Sequence, residues 1–192
     1  MSVVRYLSRC AAWLAGGLVL VSALLVGVDV LMRNLFGLSA LYSFELSRYL
    51  FGAVVTFGLS FALVERAHIR IDPLVRLLPA GARAVADVVA LAATAPVALV
   101  MAWQGIDLVH QSLRLGAISN SPLGIPIAIP QGMWAFGLIW FAVTSVVLLV
   151  VASGALAKAQ FDRVNALAGL PAMGGEGTEV KDLAHKPARA EA

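Results

Sequence analysis

The chain has 192 residues, 60% of them hydrophobic and 13% charged, with a formal net charge of +3. Soluble domains run closer to half apolar and a quarter charged, so an ordinary water-soluble core is excluded. The basic excess comes from scattered arginines with no stripe of interleaved aromatics, which argues against nucleic acid as a partner. One cysteine, Cys10, leaves no intrachain disulfide and no thiolate cluster. It reads as a small lipid-boundary residue, because nothing around it resembles a lipidation signal.

A helix needs about 20 apolar residues to cross about 30 Å of hydrocarbon, and four segments meet or approach that length. Residues 1–10 form a short basic head carrying Arg5 and Arg9. The first span is Ala11–Met32, broken by Ser22 and, near its end, Asp29. It exceeds the roughly 7–15 apolar residues of a signal-peptide core and is followed by more apolar segments, so it is read as retained. From Asn34 to Phe44, Leu38, Leu41, Tyr42 and Phe44 alternate with serines. That pattern fits either a short interfacial helix or a fold-back loop. The second span is about Leu46–Val64, with Arg48 near its start.

The middle connection, Glu65–Arg83, intersperses Ile69, Ile71, Leu74, Leu77 and Leu78 with arginines, which predicts a second interfacial helix. The third span is about Val85–Val109, with Pro96 expected to kink it. Between Gly116 and Gln131, Pro122, Pro126 and Pro130 predict an extended, partly rigid loop. The fourth span, about Met133–Ala152, carries no charge. The tail, 154–192, lacks apolar periodicity after Leu170 and is expected to be disordered there. Gly16-Gly17 reads as a pair of small residues allowing close helix packing. The fold class is therefore all-α, a four-helix integral membrane protein with short interfacial amphipathic helices.

Lysine and arginine mark the cytoplasmic side. They gather in the head, in the middle connection (Arg66, Arg70, Arg76, Arg83) and after the last span (Lys158, Arg163), and are sparser in the other two connections. Both termini are thus expected in the cytoplasm.

No catalytic set, metal-ligand spacing or phosphate loop appears. His68 and His110 fall at opposite ends of the spans and His185 in the tail, so no pair shares a depth suited to haem. No cofactor, metal or enzymatic activity is expected. Asp29 with Arg33, and Glu45 with Arg48 or Tyr49, stand at helical spacing near the interfaces. Anchoring and helix registration suit them better than an ion relay, because no span places a charge at mid-bilayer. A transporter lacking any mid-membrane polar site points to a protein that supports another.

Arg33-Asn34-Leu35-Phe36-Gly37 closes the first span, Glu45-Leu46-Ser47-Arg48-Tyr49-Leu50 opens the second, Gly58 lies within it, and His68-Ile69-Arg70-Ile71-Asp72 follows, with Leu78-Pro79 beyond. With Pro122-Leu123-Gly124-Ile125-Pro126 and Pro130, this ordered series resembles the small (DctQ-type) membrane subunit of tripartite ATP-independent periplasmic (TRAP) transporters. The resemblance runs from about Val4 to Ala152. It departs at Tyr42, where the family often has tryptophan, and in a shorter spacing from Pro126 to Pro130. It implies a scaffold in the bacterial cytoplasmic (inner) membrane, clamped to a large multi-span permease. A periplasmic solute-binding protein would supply the solute, typically a carboxylate, for ion-coupled import. Arg33, Glu45, Arg48, His68 and Asp72 become the candidate partner-interface and anchoring residues, with membrane lipid as the remaining contact. A membrane anchor of a redox enzyme and a stand-alone small transporter are the competing readings.

Overall fold

The structure, a computed structural model, describes residues 2–37, 42–65, 78–121 and 123–168. They form α1 (Ser2–Phe36), α2 (Tyr42–Val64), α3 (Ala80–Leu115), α4 (Ala128–Ala157) and α5 (Phe161–Ala168). The first four are long and apolar enough to cross a membrane, and no strand occurs among the described residues. The chain is an all-α membrane protein, as helices must be where lipid offers the backbone no hydrogen-bond partner.

The helices outrun the apolar cores read from the sequence. The basic head belongs to α1 from Ser2 onward. At about 1.5 Å per residue, the 35 residues of α1 and 36 of α3 exceed a 30 Å hydrocarbon layer by about 20 Å. Much of the amphipathic Asn34–Phe44 stretch extends the spans instead of forming a helix of its own: α1 reaches Phe36 and α2 opens at Tyr42. Residues 38–41 lie outside the described residues, as do 66–77, where the second interfacial helix was expected, and the tail after 168.

Chain reversals follow local chemistry. Gly116 ends α3 at φ 58°, a left-handed conformation that suits glycine, and its amide and that of Ala117 return to the Leu113 and Ser112 carbonyls. The following loop is extended only in part. Ser119 donates to the Ile125 carbonyl (2.9 Å) and Ile127 to that of Ala117 (3.0 Å), around the antiparallel bridge Ile118–Pro126. Pro130 then sits in the first turn of α4, where a missing N–H costs nothing, so the loop is shorter than its prolines suggested. Helix α3 continues through Pro96.

Packing makes the molecule two hairpins joined along one seam. Helix α1 packs on α2, α3 packs on α4, and the pairs meet where α2 lies against α4. Half of α4's most apolar stretch is buried, against 6% of α1's. The core joins Leu63 and Val64 of α2, Leu91 and Ala98 of α3, and Leu138, Phe141 and Leu148 of α4. A close approach on the seam is at Gly137, against Thr56. A Cβ there would stand 2.7 Å from Thr56 Cβ and 3.1 Å from the Thr56 carbonyl carbon. By contrast, a Cβ on Gly16 or Gly17 would meet nothing within 4 Å, so this pair borders open space and not the close helix contact read from the sequence.

Helix α5 was not anticipated. It lies on α3 and α4, where Val164 is fully buried with Ala84 and Ala155. Phe161, Val164 and Ala168 share one helical face, a period short enough to pass for tail composition.

Candidate functional site

The ionisable groups collect at the two ends of the helices. At one end, Glu45 stands in the first turn of α2 and is only 3% exposed. Its Oε1 accepts from the Tyr49 hydroxyl, one turn on, at 2.6 Å and from the Ser119 hydroxyl at 2.7 Å. Ser121 Oγ lies 2.9 Å from Ser119 Oγ. Helix spacing thus aligns Glu45 with Tyr49, and together they pin the α3–α4 loop onto the second hairpin's neighbour, α2. This latch crosses the seam by hydrogen bonds, whereas the core crosses it by packing. Glu45 Oε2 is buried without a partner.

Arg48 takes no part in the latch's hydrogen bonds. It is exposed, with its guanidinium 5.5 Å from the centre of the Phe44 ring, a cation–π distance. Arg33 is exposed in the last turn of α1, where a cation suits the negative end of the helix. His68 and Asp72 lie outside the described residues. Of the five candidates, then, the structure places Glu45 and Arg48 three residues apart on α2, Glu45 buried in a polar cluster and Arg48 exposed. Sequence reasoning paired Glu45 with Tyr49 but missed Ser119 and Ser121, which lie more than 70 positions away.

At the other end, Arg9 Nε and Glu65 Oε1 form an ion pair at 3.2 Å between α1 and the residue following α2. Their side chains are 60% and 36% exposed, so the pair is worth at most about 1 kcal/mol and chiefly sets register. Opposite charges at the same end of two successive spans were the available signal.

Between the ends, the span centres hold no Asp, Glu, Lys or Arg: residues 10–28, 49–64, 88–106 and 128–157 are free of them. The buried polar groups there are mainly hydroxyls, with the Trp140 indole Nε1 and, at the start of α4, Gln131 Oε1 besides. Thr56 donates to the Ala53 carbonyl, Ser60 to Phe57, Thr144 to Trp140 and Ser145 to Phe141. Each spends its proton on its own helix. His110 is exposed near the end of α3, and among the described residues no three His, Cys, Asp or Glu side chains gather as a metal site.

Two of the larger clefts carry a charged residue. One, about 660 Å³, runs along α1 past Arg9, Trp13, Gly16, Gly17 and Leu20 to Phe61. The other, about 310 Å³, lies between α2, α3 and the start of α4, with Arg48, Tyr49, Leu108, Gln131 and Trp134 in its wall.

These features define a class: a multi-pass α-helical membrane protein with uncharged span centres and its polar contacts at the two membrane faces. Within that class, the family model for tripartite ATP-independent periplasmic transporters, DctQ component, matches residues 22–157, and the chain belongs to this family. It is accordingly the small component of a TRAP transporter, a multi-pass inner-membrane protein. The matched range takes in the C-terminal part of α1, from residue 22, and all of α2, α3 and α4. Comparison with curated proteins returns no match.

Proposed function

We propose that this subunit is a fixed scaffold for the large permease of its transporter and does not itself carry solute. The large subunit moves a carboxylate-type solute inward, coupled to an ion gradient, after a periplasmic binding protein delivers it. The observation that carries this reading is the uncharged seam: a translocation path needs polar groups at mid-membrane, and here no span centre holds a charge and the buried hydroxyls bond to their own helices. The open row of helices supports it too, since α1 leaves nearly all its apolar surface for another membrane component. Both termini and the Arg9–Glu65 end face the cytoplasm by the arginine distribution, so the Glu45 latch faces the periplasm. Arg33, Glu45, Arg48, His68 and Asp72 act as interface and anchoring residues in this scheme, without a chemical step.

The test is reconstitution. Vesicles containing only this chain are expected to take up no solute when the binding protein is supplied, and vesicles with the large permease added are expected to take it up. Uptake by this chain alone would overturn the scaffold role. So would full transport by the large permease with this chain left out. A Soret band in the purified chain would favour a redox anchor instead.

A further inference from the structure

We infer that the cleft between α2, α3 and the start of α4 binds the headgroup of a phosphatidylethanolamine-type phospholipid, with the phosphate at Arg48 and the ammonium at Gln131. Three observations converge on this chemistry. First, Arg48 lines the cleft, is exposed, and makes no ion pair among the described residues. A guanidinium presents a planar fork of donors that matches a phosphate. Second, Gln131 Oε1, in the same wall, is buried and has no hydrogen-bond partner, so it calls for a donor from whatever fills the cleft. A primary ammonium supplies three N–H donors. Third, an anion stands behind the wall: the Glu45 carboxylate does not line the cleft but accepts a hydrogen bond from the cleft-lining Tyr49, three residues from Arg48.

The remaining wall suits a lipid over a soluble zwitterion. Leu108, Ile127, Pro130 and Trp134 make it largely apolar, and Trp134 stands one helical turn below Gln131, at the depth where indole rings favour the glycerol region. The chemistry also ranks the headgroups. Phosphatidylcholine carries a quaternary ammonium with no N–H for Gln131. Phosphatidylglycerol can donate a hydroxyl but brings a net negative charge toward Glu45. The site needs no other subunit, and its outcome is independent of the scaffold role.

The experiment is native mass spectrometry of the full chain in mild detergent, given equal amounts of the three lipids with identical acyl chains. Preferential retention of phosphatidylethanolamine is expected. Arg48→Met should lower retention of all three by about tenfold, the effect of one charge-assisted contact. Gln131→Leu should bring phosphatidylethanolamine down to the phosphatidylcholine level and leave phosphatidylcholine unchanged. Equal retention of the three lipids by the unsubstituted chain would overturn the inference without recourse to a variant, as would indifference to Gln131→Leu. Displacement of the lipid by soluble glycerophosphoethanolamine at similar concentration would show a site for a free zwitterion and defeat the lipid assignment.

Discussion

Gly137→Ala is the smallest change that bears on how the two hairpins join. The added Cβ would stand 2.7 Å from Thr56 Cβ and 3.1 Å from the Thr56 carbonyl carbon. Neither atom is the far end of a flexible side chain, so no rotamer change relieves the contact and the helices must separate. Overpacking of this kind costs about 1–3 kcal/mol, and the rigidity of the neighbour argues for the upper half of that range. The better helix propensity of alanine returns about 1 kcal/mol. The net destabilisation is then about 1–2 kcal/mol, a fall in Tm of roughly 2–8 °C for a domain of this size. Intrinsic fluorescence of Trp134 and Trp140, both on α4, follows the melt in detergent. Gly154→Ala is the matched control, because its Cβ would meet nothing within 4 Å and it should melt at or slightly above the parent. The double variant T56G/G137A removes the Thr56 Cβ and should recover part of the loss. If Gly137→Ala melted no lower than Gly154→Ala, the seam would not be tightly packed there and the reasoning would fail.

Two further outcomes are expected. Glu45→Gln keeps the shape of the latch but removes the charge that Tyr49 and Ser119 donate to, so the α3–α4 loop should loosen. Hydrogen exchange at the Ser119 and Ile127 amides should quicken while exchange in the middle of α4 stays unchanged; equal protection in both variants would deny the latch its role. Ending the chain at Gln160 removes α5 and uncovers Ala84, which is fully buried. In a Cys10→Ser background, a cysteine placed there by Ala84→Cys should react with a water-soluble maleimide only in the shortened chain, and equal labelling of both forms would show that α5 does not cover it.

The number of spans was legible because long uncharged runs have few stable alternatives in lipid, and the hairpin order follows from their succession. The Glu45–Tyr49 pair was legible too, being separated by one helical turn. What escaped reading depended on contacts between distant segments. Thr56 and Gly137 look like any small residues in an apolar run until α2 and α4 are laid together. Gly16-Gly17 carries the same local signal as a packing motif yet borders a cleft that reaches Phe61 of α2, with no atom close enough to meet an added Cβ. Ser119 and Ser121 reach Glu45 only through the paired backbone of the loop. Helix α5 was hidden by its brevity: eight residues offer two turns of periodicity and no more.

The two-hairpin layout also bears on how the protein is made. Each hairpin joins helices adjacent in the chain, so α1 and α2 can enter the membrane and pair before α3 has left the ribosome. What that first pair holds open for later segments is the α2 surface that receives α4, the Glu45 carboxylate that receives Ser119, and the Val4 contact with the core. The second pair can then close on itself and dock sideways, with the small residues on the seam acting as the gauge of a correct fit. Assembly order is thereby written into the succession of neighbours, and a halted synthesis after α2 would leave a finished half rather than a tangle.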